Sequence, residues 1–375
     1  MDNLDIIVNS AFGVEAVTKR ELKELGISDA PAMEGRICFK GGYDTVAELN
    51  MFLRTADRVL IRLSEFTATT FDELFDGIIN TDFEKFLSAD AKILVDAKSV
   101  RSGLFALSAI QKIAKKAIVE RLKKAYRINE ITEEGADYKI EISIFKDIVT
   151  VALDTSGDGL HKRGYRDKVW IAPLKETLAA AMIKLSVWNY GRALLDPFCG
   201  SGTIPIEAAM IALEMAPGMN RNFAFEAWKN FPKESISRMR EKAADVMKRD
   251  RMISITGYDI DKKAIELSKY HAEKAGVKIN LVNKDMRDFK SDVSHGVIVT
   301  NPPYGERLLN DKELKDLYGD FYKMYQSLDN WSMYVLTASD NFERYLGAKA
   351  IRNRKLYNAK IECRLYTYLG DKPQY

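Results

Sequence analysis

The chain is expected to be an α/β protein in two unlike parts, an α+β N-terminal half and a C-terminal half built on a parallel sheet closed by an antiparallel hairpin. Three observations point there. Beyond about residue 190, short apolar runs alternate with amphipathic helical ones, as a sheet covered by helices requires. Before residue 155, strands and helices come in mixed order and include two runs joined by Lys146-Asp147, a hairpin connection. At roughly 150 residues per domain, a chain of 375 residues divides into two or three domains.

The elements follow in order. Leu4 to Val8 reads as a strand and Val14 to Leu25 as an amphipathic helix, with Gly26 in the position where a left-handed residue ends a helix. Arg36 to Phe39 is a second strand, Tyr43 to Leu53 a second helix and Arg58 to Leu63 a further strand. A second unit begins near Thr67, with a helix over Phe71 to Ile79, a strand over Lys92 to Ala97, a basic helix, and strands over Lys139 to Phe145 and Ile148 to Asp154. The run from Ser156 to Asp167 is glycine-rich and polar and reads as a linker. After it come Ala193 to Pro197, Ile204 to Met215, Ser254 to Asp259, Lys262 to Ala275, Ile279 to Asn283, Gly296 to Thr300, a helix around Leu314 to Ser327, and Met333 to Thr337. Arg354 to Tyr357 and Ile361 to Leu369 form the closing hairpin. The expected boundaries are 1–65, 66–156, a linker over 157–170, and 171–375.

Composition excludes several classes. With 46% hydrophobic and 30% charged residues the chain is neither disordered nor collagen-like. Its longest apolar runs, such as Ile204 to Leu213, are too short to span a bilayer. The N-terminus is acidic where a signal peptide is basic, and a cytoplasmic location is expected. Cys38, Cys199 and Cys363 lie more than 100 residues apart, and His161, His271 and His295 have no ligand spacing, so no disulfide framework and no metal site are expected.

The net charge of +3 averages over an uneven distribution. Lys98 to Arg127 holds nine basic residues and one acid, Glu120, hence +8, while the remaining 48 basic and 53 acidic residues sum to −5. Within that stretch Ala109, Ile113, Ala117 and Leu122 recur at helical spacing, leaving one face apolar and the other basic. A solvated face is one reading. A phosphate-backbone binding stripe is the other, favoured by the near absence of acid.

Two strings carry chemistry. In Leu195-Asp-Pro-Phe-Cys-Gly-Ser-Gly-Thr203 an apolar strand ends in an acid, and a loop with Gly200 and Gly202 leads into a helix. Such a loop lets backbone approach a ligand at a helix N-terminus. It lacks both the third glycine of a dinucleotide fingerprint and the GK[ST] of a P-loop. The string resembles motif I of S-adenosylmethionine-dependent methyltransferases. In Gly257-Tyr-Asp-Ile-Asp261, Asp259 stands at a strand end where an acid accepts from both ribose hydroxyls, and Asp261 reads as a helix cap. Thr300-Asn-Pro-Pro-Tyr-Gly305 resembles motif IV of amine methyltransferases acting on adenine, cytosine, guanine or glutamine nitrogen. An exocyclic amine delocalises its lone pair into the ring. The Asn301 side-chain oxygen and the Pro302 carbonyl can accept both of its N–H bonds and hold the nitrogen in line with the methyl group. Pro302 and Pro303 fix the loop, and Tyr304 offers a ring to stack on a flipped base.

The resemblance then extends along nearly the whole chain. Ala172 to Met182, Ala216-Pro-Gly-Met-Asn-Arg221 and Asn301 to Leu308 are similar to the THUMP-containing RNA guanine-N2 methyltransferases, in particular the bacterial large-subunit rRNA enzymes or their N-terminal half. The resemblance implies a ferredoxin-like unit, a THUMP RNA-binding domain owning the basic helix, and a Rossmann-like class I methyltransferase domain with a seven-stranded mixed sheet. It implies S-adenosyl-L-methionine as cofactor and RNA, rRNA first, as partner. Asp196, Gly200, Gly202 and Thr203, with Pro197 and Phe198, would line the cofactor loop. Leu174 and Thr177 would sit near its carboxylate, and Asp285 would meet the adenine amine unless it is a turn acid. Asn301, Pro302, Pro303 and Tyr304 would hold the target base. Arg101, Lys112, Lys115, Lys116, Lys123 and Arg163 would form the RNA track, with Arg166 either extending it or solvated. Cys199 reads as a small packing residue.

One departure from the fused enzymes is expected: the chain ends soon after the catalytic sheet, so a second methylation would come from another protein. The alternatives are a tRNA guanine-N2 methyltransferase and a non-catalytic RNA-binding assembly factor. DNA adenine and protein-glutamine methyltransferases share Asn-Pro-Pro-Tyr but leave the THUMP-like half unexplained. The target nucleotide and the oligomeric state stay open.

Overall fold

The computed structural model describes residues 3–33, 35–168, 174–304 and 310–371. The N-terminal strands β1 (Leu4–Ser10), β2 (Ala32–Met33), β3 (Arg36–Gly41), β4 (Ala56–Thr67), β5 (Lys92–Val100), β6 (Asp137–Phe145) and β7 (Ile148–Asp154) form one sheet in the order β2-β3-β1-β4-β7-β6-β5. β4 joins what the sequence separates. Its first half pairs antiparallel with β1 and its second half with β7, and a bulge between Arg62 and Ser64 resets the register. The two N-terminal units therefore share a twelve-residue strand. The expected boundary at 65/66 falls inside it, because strand pairing has no signature in a single sequence.

Helices α1 (Glu15–Glu24), α2 (Tyr43–Phe52), α3 (Phe71–Ile79) and α4 (Leu107–Tyr126) accompany this sheet. α3 starts on a capping box, with the Thr70 hydroxyl accepting from the Glu73 N–H and the Glu73 carboxylate accepting from the Thr70 N–H. α4 is the basic helix. Its buried stripe is Ile110, Ala114, Ala117, Ile118 and Leu122, turned by about one residue from the expected Ala109-Ile113 edge, and it leaves Lys112, Lys116 and Lys124 exposed.

The catalytic-side strands are β8 (Leu194–Asp196), β9 (Ile255–Asp259), β10 (Asn280–Asn283), β11 (Val297–Thr300), β12 (Ser332–Thr337), β13 (Arg352–Asn358) and β14 (Ile361–Tyr368), ordered β10-β9-β8-β11-β12-β14-β13. Pairing is parallel through β12, whereas β14 runs antiparallel to both β12 and β13. This is the expected seven-stranded mixed sheet with its C-terminal hairpin. Helices α5 (Glu176–Leu185), α6 (Thr203–Ala212), α8 (Lys262–Ala275), α9 (Asp311–Gln326) and α10 (Phe342–Leu346) accompany it. The chain moves outward in opposite directions from β8 and β11, so a crevice opens at their C-terminal ends, where ligands bind in open α/β sheets.

The two halves interlock. Helix α7 (Lys233–Val246) and the segment before it leave the catalytic domain to complete the N-terminal core, burying Phe223, Phe225, Trp228 and Phe231 there. Trp228 stacks on Tyr138 at 5.1 Å and donates to the Asp137 carbonyl at 3.1 Å. Each such ring removed from water contributes about 1.5–3 kcal/mol, so the junction is a core and not a hinge. In return, Arg54 crosses to donate to the Met215 carbonyl at 2.7 Å.

The stretch read as a linker is also packed. Leu160 and Tyr165 are buried, and Arg221 donates to the carbonyls of Ser156, Asp158, Gly159 and Lys162 at 3.1, 2.7, 2.7 and 3.0 Å. Glycine-rich composition resembled a flexible connection because backbone carbonyls pinned by one distant arginine leave no local pattern.

Candidate functional site

The site is assembled by loops at the C-terminal ends of β8, β9, β10 and β11. β8 ends in Asp196, whose carboxylate accepts the Phe198 N–H at 3.2 Å and the Thr300 hydroxyl at 2.6 Å. Thr300 closes β11, so this contact ties the glycine loop to the Asn-Pro-Pro-Tyr loop across adjacent strands. Burial pushes the Asp196 carboxyl up to about 7, with the Thr300 and Phe198 donors opposing it.

Behind Asp196 the loop turns through Pro197, Phe198, Cys199 and Gly200 to Gly202. Gly200 and Gly202 have φ of +52° and +83°, where side chains are disfavoured. A Cβ on Gly202 would lie 2.9 Å from the Ser268 Cβ of α8, while one on Gly200 would meet nothing within 4 Å. Gly202 thus serves helix packing and Gly200 presents open backbone. Phe198 sets its ring edge-on to Phe321 at 5.3 Å. Cys199 is buried and donates its N–H to the Tyr258 carbonyl at 2.8 Å; burial drives its thiol well above the usual range, which suits packing and not nucleophilic chemistry.

Asp259, at the end of β9, accepts the Gly200 N–H on Oδ2 at 2.9 Å and the Asp261 N–H on Oδ1 at 2.8 Å. Each carboxylate oxygen retains a free acceptor direction, the requirement for holding two vicinal hydroxyls. Asp261 accepts from the Lys263 N–H and caps α8, as read. Asp285 also caps a turn: Oδ1 accepts from the Arg287 N–H and Oδ2 pairs with the Arg287 guanidinium, both at 2.9 Å. Asn283 reaches back from β10 and donates to the carbonyls of Asp259 and Ile260 at 3.0 and 2.9 Å, locking two strand ends together.

The motif IV loop is described through Tyr304; residues 305–309 lie outside the described residues. Pro302 is buried, and the Pro303 carbonyl accepts from the Tyr318 hydroxyl of α9 at 2.7 Å. Tyr304 is half-buried against the C-terminal hairpin, its hydroxyl beside Asn358 and Cys363. Asn301 Oδ1 is buried and has no hydrogen-bond partner among the described residues. A desolvated acceptor costs about 1–3 kcal/mol while unpaired, which marks Asn301 as the candidate acceptor of the site.

Residues 169–173, which include Ala172 and Pro173 of the Ala172-to-Met182 stretch, lie outside the described residues. Leu174 and Thr177 follow as buried residues at the start of α5. Arg166 donates to the Leu174 carbonyl at 2.9 Å, to Thr203 Oγ1 at 3.2 Å and to Glu176 at 3.0 Å. Its role is structural: it clamps the segment before α5 onto the glycine loop. Thr177 Oγ1 meets Asp57 of the N-terminal half at 3.4 Å.

Arg163 does not belong to an RNA track. Its side chain is 1% exposed, pairs with the buried Glu207 at 3.3 Å and donates to the Leu160 carbonyl at 2.6 Å. A guanidinium inside the domain junction cannot reach a phosphate backbone. The α4 stripe is also less free than its composition suggests. Arg121 pairs with Asp82 and Glu84, Lys115 with Glu133 at 2.7 Å, and Lys123 with Glu120 at 3.6 Å. Arg101, Lys112 and Lys124 have no ion pair among the described residues, and Lys116 lies 5.8 Å from the Phe75 ring. The sequence reading missed Thr300 and Tyr318, and it gave Arg166 as solvated or RNA-facing where it clamps Leu174, Thr203 and Glu176. Only Thr300 had a cue, as the residue that opens the motif IV string.

Among the described residues no group of three His, Cys, Asp or Glu is placed to hold a metal ion, and no helix is long and apolar enough to cross a membrane.

Three family models match the chain: an RlmL ferredoxin-like domain over residues 5–60, a THUMP domain over 68–154 and an RMKL-like methyltransferase domain over 163–367. YpsC of Bacillus subtilis (strain 168), described as an RNA methyltransferase, is 41% identical over 100% of this chain and 98% of its own length. The ribosomal RNA large subunit methyltransferase K/L of Methylococcus capsulatus is 34% identical over 97% of this chain but 51% of its own length, so the chain spans about half of the K/L enzyme. Among solved structures, SMU.472, a methyltransferase by description, was determined in complex with SAH; it is 40% identical with a TM-score of 0.94 over 100% of both chains. A Listeria monocytogenes protein described as an N6-adenine-specific DNA methylase is 42% identical with a TM-score of 0.94, covering 99% of this chain and 97% of its own.

Proposed function

The chain belongs to the RMKL-like methyltransferases that carry RlmL-type ferredoxin-like and THUMP domains, and on that basis we propose that it methylates the exocyclic N2 amine of a guanosine in large-subunit rRNA. Its methyl donor is S-adenosyl-L-methionine, which supplies an electrophilic methyl group on a sulfonium. The chain's residues fit that group: an open glycine at 200, two parallel-strand acids and a helix N-terminus converge at the switch point of the sheet. In the proposed assignment Asp259 holds the ribose, the loop from Asp196 through Pro197, Phe198, Gly200, Gly202 and Thr203 holds the methionine side, and Leu174 and Thr177 close the carboxylate end. Asp285 faces the adenine amine through whichever oxygen direction Arg287 leaves free.

The observation that carries the reading is the buried Asn301 Oδ1, without a partner among the described residues. Accepting one N–H of a planar amine there, and the other at the Pro302 carbonyl, withdraws the lone pair from the ring and aims it at the methyl carbon. Methyl transfer to that nitrogen would leave the neutral thioether and a cationic amine that sheds its proton afterwards, so no strong base is required of the chain's own residues. Tyr318 holds the loop through Pro303, and Tyr304 offers the ring face for a base taken out of its stack. Arg101, Lys112, Lys115, Lys116 and Lys123 of the basic segment would meet the RNA backbone, Lys115 and Lys123 by exchanging Glu133 and Glu120 for phosphate.

The likeness to a protein described as a DNA methylase supports a second reading, adenine N6 in DNA. The THUMP match favours RNA. Incubation with labelled cofactor and with rRNA, tRNA and DNA from a strain lacking the protein separates them. Label in 23S rRNA as N2-methylguanosine is expected; label confined to tRNA or to DNA adenine overturns the proposal.

A further inference from the structure

A cleft of about 440 Å³ opens where the N-terminal sheet meets the catalytic domain, outside the site described above. Its lining runs from the N-terminal sheet to the entry of the catalytic domain: Asn9 and Phe12 from the end of β1 and its following loop, Arg36 from β3, Arg58 from β4, Lys98 from β5, and Lys175 just ahead of α5. Two acids, Asp57 and Glu141, also line it, which leaves a positive excess. Glu141 is already held by Lys98 at 2.6 Å and Arg36 at 3.7 Å, and Arg58 by Asp154. Lys175 has no ion pair among the described residues. His161, also in the lining, is held down to about 4 by burial and by Lys175, Arg163, Arg166 and Lys162, so it stands neutral in a positive field.

The cleft asks for more than an anion. Asn9 Oδ1 is buried with no partner among the described residues, an acceptor waiting for a donor that phosphate or sulfate cannot supply. Phe12 is 60% exposed at the edge, so its ring is free to stack on an aromatic ligand. A ligand with a negative charge, a hydroxyl donor and an aromatic face satisfies all three, and a ribonucleotide unit has each of them.

The cleft also neighbours the start of α5 and the motif IV loop. On one side Lys175 lies two residues before Thr177, whose hydroxyl meets the lining residue Asp57. On the other, the Phe12 ring sits edge-on to Tyr357 of β13 at 5.9 Å, and the next residue, Asn358, touches the Tyr304 hydroxyl. Arg354 of the same hairpin donates to the Gly13 carbonyl at 3.3 Å and fixes the Phe12 loop there.

Building on the reading of RNA as substrate, we propose that this cleft binds the single-stranded RNA flanking the target nucleotide, with Lys175 meeting a backbone phosphate, Asn9 a ribose 2′-hydroxyl and Phe12 a stacked base. The ferredoxin-like unit is then part of the substrate site and not a spacer between the THUMP domain and the catalytic one.

The test uses the full chain, a fluorescein-labelled single-stranded RNA 12-mer, its DNA counterpart and GMP, read by anisotropy over a salt series. Phe12→Ala is expected to weaken RNA binding about tenfold, and Phe12→Tyr to restore it. Lys175→Gln should lower the salt slope by about 0.7, the value for one phosphate on a single strand. Asn9→Ala should erase the preference for RNA over DNA. Calorimetric binding of S-adenosylmethionine should be unchanged in each variant. Wild-type affinity in all three variants, while the parent binds RNA, overturns the cleft and leaves the substrate reading intact. GMP binding as tightly as the 12-mer overturns the strand in favour of a free nucleotide. Failure of the parent to bind RNA overturns both.

Discussion

Asn301→Ala separates a catalytic acceptor from a structural one. Asn301 Oδ1 is buried and unpaired among the described residues, and an acceptor in that state costs about 1–3 kcal/mol. Truncation removes that cost but leaves a small void worth about 1 kcal/mol in the other direction. The net change in stability is therefore near zero, and the thermal midpoint should stay within about 3 °C of the parent. Turnover behaves differently. Removing one preorganised hydrogen-bonding group from a reacting centre costs about 10²–10³ in kcat, so single-turnover methyl transfer should fall by that factor. The affinity for S-adenosylmethionine should hold, because Asn301 is assigned to the amine. Unchanged turnover would refute the reasoning. So would an equal loss of activity and midpoint, which would make Asn301 a scaffold residue.

Four further outcomes follow from the same contacts. Asp196 has its carboxyl raised to about 7, so its protonated form is favoured by folding, and the stability it contributes is full below about 4 and is lost as pH rises toward 7. Asp196→Asn should therefore gain stability relative to the parent between pH 5 and pH 8, measured by thermal unfolding; an equal offset at both pH values contradicts this. Arg163→Met strands the buried Glu207 and should cost about 3–5 kcal/mol in denaturant unfolding, which the double variant with Glu207→Met recovers; weaker RNA binding at parental stability would return Arg163 to the RNA track. Tyr318→Phe loses the bond to the Pro303 carbonyl and should lower kcat about tenfold without changing cofactor affinity; parental kcat means the loop is held otherwise. Lys112→Glu with Lys116→Glu should weaken RNA binding and flatten its salt dependence, and parental affinity would leave α4 as a solvated face.

Much of the catalytic half was legible because its signals are local. Strands β8, β9 and β11 end where an apolar run meets Asp196, Asp259 and Asn301, and α8 runs between its Asp261 cap and Gly276. What escaped was non-local. Arg163 and Glu207 lie 44 residues apart, and nothing near either predicts that they neutralise each other in a core. Arg221 turns a glycine-rich stretch into a fixed one from about 60 positions away. β4 belongs to two units because its two halves pair with different strands. The count of basic residues in α4 was right, but Asp82, Glu84 and Glu133 that offset part of it sit on other elements.

The central claim is methyl transfer to guanosine N2 in large-subunit rRNA. Its most direct test is nucleoside mass spectrometry of separated 23S rRNA and tRNA from a deletion strain, complemented with the parent or with Asn301→Ala. Loss of one N2-methylguanosine from 23S rRNA, restored by the parent and not by the variant, is the predicted result. An intact 23S profile with a methylguanosine missing from tRNA would contradict it.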